Sequence, residues 1–493
     1  MTRMGAQSAL VFAALLALAG CARAPLATAP PEQRAIIEAN LMRDIGVLAS
    51  DEFGGRRPGT LGEERTLAFI TEELQRAGFS SGTNDPGSAW RAPVQLIATK
   101  PASSRLAFRR GSKIVEIAEQ SSVAYTSRRR GLIEEAEMVF VGKLAEEVAE
   151  EDVTGRVIVM LGEPGVSPDR RRILFEKNPV AIITVVEDDE AIASTRQGRG
   201  DERMLLASEE TQDLSAYTTK ETLSEILRPE VWEDLLQQSE QENFIPQPLD
   251  VTASIEATSI RREFTSYNVI GVLRGQVPQS GAVLLLAHWD HLGECPTEES
   301  PEAICSGAVD NASGVAVMLE LARRLTATGP YDRDIYVLAT SAEEAGLLGA
   351  KAFVADPALP LDSIVAAFNF DTVAVAPAGS AVGFVGEGRT PLDSIIREVM
   401  AEGARELGNR EFAESFVQRQ DGWALLQEGV PSVMLSTAFS SEIVLGPYLS
   451  NDYHGPTDDI DKVELGGAID DLLLHEELVR RVADTAVFPA TGG

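Results

Sequence analysis

Val283-Leu284-Leu285-Leu286-Ala287-His288-Trp289-Asp290-His291 is the stretch that decides the fold. The five apolar residues are too few for a helix and do not alternate with polar ones. They read as a strand buried on both faces, as in parallel sheets covered by helices. The run ends directly in two histidines and an aspartate, so polar chemistry begins where the strand stops. Outward from it, from about residue 266, strands and helices alternate. Strands are expected at Ile335–Thr340, Ile364–Phe370, Ala381–Val385 and Ser432–Leu435, and helices at about 312–327, 346–355, 391–407 and 468–485. This alternation predicts an α/β fold with a mixed, mostly parallel sheet flanked by helices. No internal repeat is evident.

Upstream, residues 33–79 read as helical. Glu63 to Gly78 places Leu67, Ile70, Leu74 and Ala77 on one face, with Gly78 as a stop. Before it, Asp51-Glu52-Phe53-Gly54-Gly55-Arg56-Arg57-Pro58-Gly59 is a loop dense in Gly and Pro. From about 110 to 258 the pattern changes to short strands: Glu137–Val141, Arg156–Met160 and Ala181–Val186. Residues 201–250 hold 13 acidic against 3 basic residues and read as a solvated helical face and loop. The expected organisation is therefore a first segment of the main domain over 33–110, a β-rich insert over 111–258, and the remainder of the main domain over 259–493.

The chain has 493 residues and a formal net charge of −33. A surface this acidic is repelled by phosphate backbones, which excludes nucleic acid as a partner. At the start, Ala9 to Ala19 is an apolar run of 11 residues, too short to span a bilayer. It ends in Leu18-Ala19-Gly20-Cys21. Small residues before a cleavage point mark a secretory signal, here residues 1–20. The following Cys resembles a bacterial lipobox, so Cys21 is the expected lipidated N-terminus, with residues 21–32 as an Ala- and Pro-rich tether. Ala22 after the Cys points to the outer membrane, facing the periplasm or the cell surface. The lipid is the expected membrane contact, because no other run is long enough to cross. Cys295 and Cys305 remain, ten residues apart in a compartment where disulfides persist, and are expected to pair.

There are only four His: His288, His291, His454 and His475. Three lie close to acidic residues at strand ends. His288-Trp-Asp290-His291 follows one strand, Ser341-Ala-Glu343-Glu344 the next, and Asn369-Phe-Asp371 the one after. Gly307-Ala-Val-Asp310-Asn-Ala-Ser-Gly314 opens a helix, and Asp452-Tyr453-His454-Gly-Pro-Thr-Asp458 comes late. Ligands of open α/β sheets bind outside the carboxyl ends of the strands, so these motifs suggest one shared site. Zinc accepts imidazole and carboxylate ligands, and metal pairs recur in aminopeptidases and phosphatases. Asp310, at a helix start where the macrodipole favours an anion, suits a bridging role. His288 and Asp371 complete one metal site and Glu344 and His454 the other. Glu343 is left over and is the candidate general base. Asp290 is expected to orient His288 from behind, and Asp458 to do the same for His454. His291 stays open between a ligand support, a loop hydrogen-bonder and a substrate contact. His475, in Leu-Leu-Leu-His-Glu-Glu, reads as an ordinary helix-surface residue.

Together these motifs resemble the co-catalytic zinc metallopeptidases of family M28. The resemblance is strong over about 266–460 and extends to the Asp51–Gly59 loop and the helix after it. It is weaker over 110–258, where Thr154-Gly-Arg-Val-Ile-Val-Met160 and Val180-Ala-Ile-Ile183 resemble strands of a protease-associated insert. It implies two zinc ions, with the ligand sets above, Asp310 bridging through a cis peptide to Asn311, and Glu343 as the base. It further implies that Tyr453 donates to the oxyanion of the tetrahedral intermediate. One departure is Arg419-Gln420-Asp421-Gly422-Trp423, where members commonly carry Ser-Asp-His. That change leaves the metal ligands alone but alters the pocket, and Arg419 becomes a candidate substrate contact. The 16-residue segment His291–Ser306 is long enough to form a flap, which the disulfide would stiffen. The expected activity is hydrolysis of N-terminal amide bonds of peptides. A carboxypeptidase or dipeptidase of the same fold, a non-catalytic receptor-like module and a single-zinc glutaminyl cyclase are the alternatives.

Overall fold

The first helix, α1 (Pro31–Leu48), starts on a proline, whose missing N–H costs nothing in a first turn. The turn Asp51–Arg56 follows, then α2 (Leu61–Arg76). Leu67, Ile70 and Leu74 of α2 are fully buried at the expected spacing, each contributing roughly 1.5–3 kcal/mol of apolar burial. The computed structural model describes residues 29–83, 89–211, 213–297 and 300–489. The expected signal segment over 1–20 and Cys21 lie outside the described residues, as does most of the tether over 21–32.

The middle of the chain contributes β1 (Arg91–Arg110), β2 (Ser122–Thr126), β3 (Arg130–Gly142), β4 (Val157–Leu161), α3 (Ser167–Phe175), β5 (Ala181–Val186), α4 (Asp189–Arg199), β6 (Arg203–Leu206), β7 (Leu214–Thr219), α5 (Lys220–Leu227) and α6 (Pro229–Ser239). Strands β3, β4, β5 and β7 run parallel in that order. The solvated face expected over 201–250 is a partial misreading, because every residue of β7 is buried. The acids of this region flank the strand in sequence, and composition averaged over fifty residues hides a six-residue buried run.

The chain then makes a 27-residue strand, β8 (Gln247–Leu273). Its first half pairs with β3, from Gln247↔Phe140 to Thr258↔Arg130, and most of its length pairs with β1. Its last residues, Val269 to Leu273, pair antiparallel with β10 (Asp334–Thr340). The expected boundary at 258 therefore falls inside a continuous strand. After β8 come β9 (Ala282–His288), α7 (Gly314–Thr328), β10, α8 (Leu348–Ala355), β11 (Ile364–Asn369), β12 (Gly383–Val385), α9 (Asp393–Glu402), α10 (Gly422–Gln427), β13 (Ser432–Ser436), α11 (Glu442–Asn451) and α12 (Leu465–Val482). Strands run β12-β13-β11-β9-β10-β8-β3-β4-β5-β7-β2 across one sheet. Neighbours β13, β11, β9 and β10 are mutually parallel.

The apolar run that opened the reading is buried on both faces. Val283, Leu285 and Ala287 join a core with Trp289, Phe368, Phe370 and helices α1, α2, α7 and α12. Leu284 and Leu286 pack on the other face with Leu338, Phe353 and Leu425. A separate core around Phe108, Phe140 and Trp232 fills the insert, with Phe140 and Trp232 edge to face at 5.5 Å. Among the described residues, no helix is long and apolar enough to cross a membrane.

His475 is not on the helix surface, which corrects that expectation. It is fully buried in α12, its ring 4.6 Å from Phe370, and its Nδ1–H donates to the Asp471 carbonyl at 2.7 Å. Its neighbours in sequence are acidic, but the helical period turns this one position inward. Burial pushes its pKa down to about 4. The native imidazole thus stays neutral where an unfolded chain, with a value near 6.5, takes up a proton. The stability contributed by this site is therefore lost as pH falls from about 6.5 to about 4, by up to about 3 kcal/mol. Chemical unfolding at pH 7 and pH 4.5 should show a larger acid loss for the wild type than for His475→Gln. Equal losses would reject the assignment.

Candidate active site

Parallel strands share one carboxyl edge, and the expected motifs meet there. His288 ends β9, Glu343 and Glu344 follow β10, and Asp371 lies two residues past β11. Asp310 sits in the irregular turn Ala308–Ser313 before α7, and the Asp310–Asn311 peptide is cis. Asn311 holds that turn in place. Its Nδ2 donates to the carbonyls of His288 and Phe370 at 3.3 and 2.9 Å, and its Oδ1 accepts from the amides of Gly314 and Thr372. A Cβ on Gly314 would lie 2.2 Å from Asn311 Oδ1 and 2.3 Å from the Phe370 carbonyl, so glycine is required there. Ala342, Thr372 and His454 carry positive φ angles of 52°, 49° and 58°, strain of the kind that gathers at functional sites.

Asp310 presents its two oxygens to two different partners. Oδ1 is 3.2 Å from His288 Nε2, which is 3.6 Å from Asp371 Oδ1. Oδ2 is 3.4 Å from His454 Nε2, which is 2.8 Å from Glu344 Oε2. Donor atoms of His288, Asp310 and Glu344 all lie within 4.8 Å of one another. A tetrahedral zinc with bonds of about 2.0–2.1 Å separates its ligands by about 3.3 Å. Three of the four spacings are close to that edge and the fourth is somewhat shorter. The donors, two imidazoles and three carboxylates, are those zinc accepts, and their negative excess needs cations in a water-poor site. The residues present therefore fit zinc, with Asp310 shared between the two sets of donors.

Each donor is held from behind. His288 Nδ1–H donates to the Asp290 carbonyl at 3.2 Å, while the Asp290 carboxylate accepts from the Glu343 amide at 3.0 Å. Asp290 thus reaches His288 chiefly through its backbone, and its side chain positions Glu343. His291, left open in the sequence, donates Nδ1–H to Glu344 Oε1 at 2.6 Å and leaves Oε2 facing His454. Asp458 does not touch His454, contrary to expectation. It accepts from the amides of Val309 and Asp310 at 2.9 and 3.0 Å and from the Tyr448 hydroxyl at 2.9 Å. It fixes the bridging turn instead, because the chain folds Asp458 back beneath residues 308–310. Tyr453 stacks on the His454 ring, with centroids 3.7 Å apart. The Glu343 carboxylate has no hydrogen bond or ion pair among the described residues. With His288, Asp310, Asp371 and Tyr453 it lines a small cavity of about 40 Å³ that Phe416, Arg419, Met434, Phe439 and Leu445 complete.

The electrostatics follow from burying so many acids. Burial pulls His288 down, but the Glu343 charge and hydrogen bonds to Asp310 and Asp371 outweigh it and hold it well above its ordinary value. Burial also opposes His454, which its bonds to Asp310 and Glu344 raise to about 10. Burial pushes Asp310 up, but hydrogen bonds from His288 and His454 outweigh it and hold Asp310 below the carboxylate range. Glu343, which lacks such a partner, is raised well above it by burial. Burial also lifts Asp290 to about 7 and Asp421 to about 6.

Arg56 was not singled out from the sequence. It is 1% exposed and donates to the carbonyls of Leu48, Trp289, Ser306 and Gly307 at 2.6–3.0 Å. Burial lowers its pKa to about 10, against the charges of Asp458, Asp310, Asp290 and Glu344, so it remains a cation behind the acidic cluster. The available signal was Gly54-Gly55, whose positive φ angles of 53° and 65° turn the next side chain inward. A Cβ on Gly55 would lie 2.5 Å from the Cys305 carbonyl. The expected disulfide is formed there: Cys295 and Cys305 close a loop with Cα atoms 5.6 Å apart. It joins the ends of a small hairpin, Gly293–Glu294 with Ile304–Cys305, packed on the Asp51–Arg56 turn.

Comparison with known proteins gives a consistent pattern. The family model of peptidase family M28 matches residues 268–472. The aminopeptidase YwaD of Bacillus subtilis is 37% identical over 108 residues, 21% of this chain and 21% of its own length. The alkaline phosphatase isozyme conversion protein of Escherichia coli is 37% identical over 91 residues, 18% of this chain and 26% of its own. The matched stretches thus span only a fifth to a quarter of these curated relatives. The solved aminopeptidase from Aneurinibacillus sp. strain AM-1 has a similar fold, with a TM-score of 0.54 at 20% identity over 92% of this chain and 94% of that one.

Arg56→Met removes the donors of four buried carbonyls while keeping the stem. It should destabilise the protein by about 3–5 kcal/mol, and Arg56→Lys should recover little, because an ammonium cannot span the fork. Thermal unfolding checks this, and a Met variant that melts with the wild type would reject the bracing role.

Proposed function

We propose that the chain, whose residues 268–472 match the model of peptidase family M28, is a zinc-dependent aminopeptidase with a two-metal site. The observation that carries this reading is the division of Asp310 between His288 with Asp371 on one side and His454 with Glu344 on the other. His288, Asp310 and Asp371 would hold one zinc, and Asp310, Glu344 and His454 the other. When bound, such a pair supplies Lewis-acid polarisation of a carbonyl and acidification of water.

The chain's own residues do the rest. Glu343, held through its amide by Asp290, takes the proton of the attacking water and delivers it to the leaving amine nitrogen. Tyr453 donates its hydroxyl proton in a hydrogen bond to the developing oxyanion. The apolar wall of Phe416, Met434, Phe439 and Leu445 takes the side chain of the N-terminal residue. His454, the most exposed of the donors at 37% side-chain exposure, marks the open side of the site. Arg419, on the same cavity, favours a second reading in which a substrate α-carboxylate binds there, as in a carboxypeptidase or dipeptidase. Export and anchoring at the outer membrane through lipidated Cys21 complete the proposal, and intact mass of the membrane fraction tests that part.

Metal analysis should give two zinc ions per chain, and chelation should abolish hydrolysis of leucine p-nitroanilide. Glu343→Gln should retain both ions and lower kcat by about 10²–10⁴-fold. Fewer than two ions, or unchanged turnover in the variant, rejects the mechanism. Hydrolysis confined to N-blocked dipeptides replaces the aminopeptidase reading with the second one.

A further inference from the structure

The insert holds a second cavity, of about 1390 Å³, distinct in lining from the metal cluster. Arg171 from α3, Arg199 at the end of α4 and Arg203 at the start of β6 line it, and the same three line an adjoining cavity of about 540 Å³. They surround Tyr217 of β7. The guanidinium carbons of Arg171 and Arg199 each lie 5.4 Å from its ring centroid, and that of Arg199 is 5.5 Å from Tyr125. In a chain of net charge −33, three arginines together need a reason.

Arg171 is 8% exposed, and among the described residues its guanidinium has no hydrogen bond or ion pair. Arg199 has none either, and Arg203 donates only to the Gly198 carbonyl at 2.7 Å. Of the carboxylates lining the two cavities, Glu176 pairs with Arg172, Glu163 with Arg170 and Glu187 with Lys220. The exposed Asp201 acts on Arg203 through its charge alone. Asp213, on the same wall, is raised by burial and bonded to Thr211. Burial and mutual repulsion both lower Arg171 and Arg203. A buried guanidinium without an anion is costly, and a planar fork matches a carboxylate.

We propose that Arg171, Arg199 and Arg203 form an anion site that takes the carboxylates of an acidic peptide segment. The cavity is far larger than a single inorganic oxyanion requires. Arg203 and Met204 also line a cavity of about 360 Å³ that Asp290, His291 and Glu344 line too, so the anion site adjoins the metal cluster. That the ligand is anionic stands on the arginines alone; that it is a peptide rests on the proposed peptidase function.

The probe is tetraglutamate blocked at both ends, which has no free terminus to hydrolyse, titrated calorimetrically into the full-length metal-loaded protein. Blocked tetraglutamine and inorganic phosphate are the comparison arms. Tetraglutamate should bind, tetraglutamine should not, and phosphate should compete only weakly. Arg171→Met and the half-buried Arg199→Gln should each weaken tetraglutamate by about tenfold or more. The second variant carries the test if the first does not fold. Leucine p-nitroanilide hydrolysis should stay at the wild-type level in both. Equal binding of the two peptides, wild-type affinity in a folded arginine variant, or phosphate binding without peptide binding overturns the proposal. Failure of hydrolysis with tetraglutamate binding intact would overturn only the peptidase reading.

Discussion

The hydrogen bonds that Asp458 accepts from the amides of Val309 and Asp310 decide where the Asp310 carboxylate points. Asn311 ties the same turn to the ends of β9 and β11 through the carbonyls of His288 and Phe370. Arg56 ties its entrance through the carbonyls of Ser306 and Gly307. All of these groups are buried, so each bond left unmade would cost roughly 1–3 kcal/mol. These bonds hold the turn so that the two Asp310 oxygens face different imidazoles. Glu344 is constrained in the same way, with one oxygen taken by His291 and the other directed at His454.

The second constraint is the length of β8. One strand pairs with β10, beside the site, and with β3 and β1 of the middle of the chain. The insert is thereby attached by a ladder of backbone hydrogen bonds rather than by a flexible linker. This places β6 of the insert beside the loop of His291 and Glu344, with Arg57 paired to Glu202 across the gap. The chain is acidic overall, yet Arg203 of β6 lines the cavity that His291 and Glu344 also line.

Much of this was legible in the sequence where local pattern and burial coincide. The apolar run before His288, the Leu67–Ile70–Leu74 stripe and the motifs at strand ends each follow from periodicity or from a change of chemistry at a strand terminus. The disulfide followed from the spacing of two cysteines. The strand β7 was hidden because acids on either side dominated the local composition. His475 was misplaced because its neighbours, Glu476 and Glu477, suggested an exposed face, whereas its own position on α12 faces Phe370. Arg56 and Asp458 carried no periodic signal: one lies in a glycine-rich turn, the other in a loop.

The sequence by itself determined which elements form and which residue types stand at their ends, because those depend on neighbours a few positions away. It also narrowed the histidine chemistry to four residues, three of which lie at the site. Only the tertiary structure decided what each of those residues touches. Asp458 meets the Asp310 turn across about 150 positions of chain, and Arg56 meets Gly307 across about 250. Such contacts are selected by the burial of unsatisfied amides and carbonyls when the strands assemble, and that cost exists only once the core has closed.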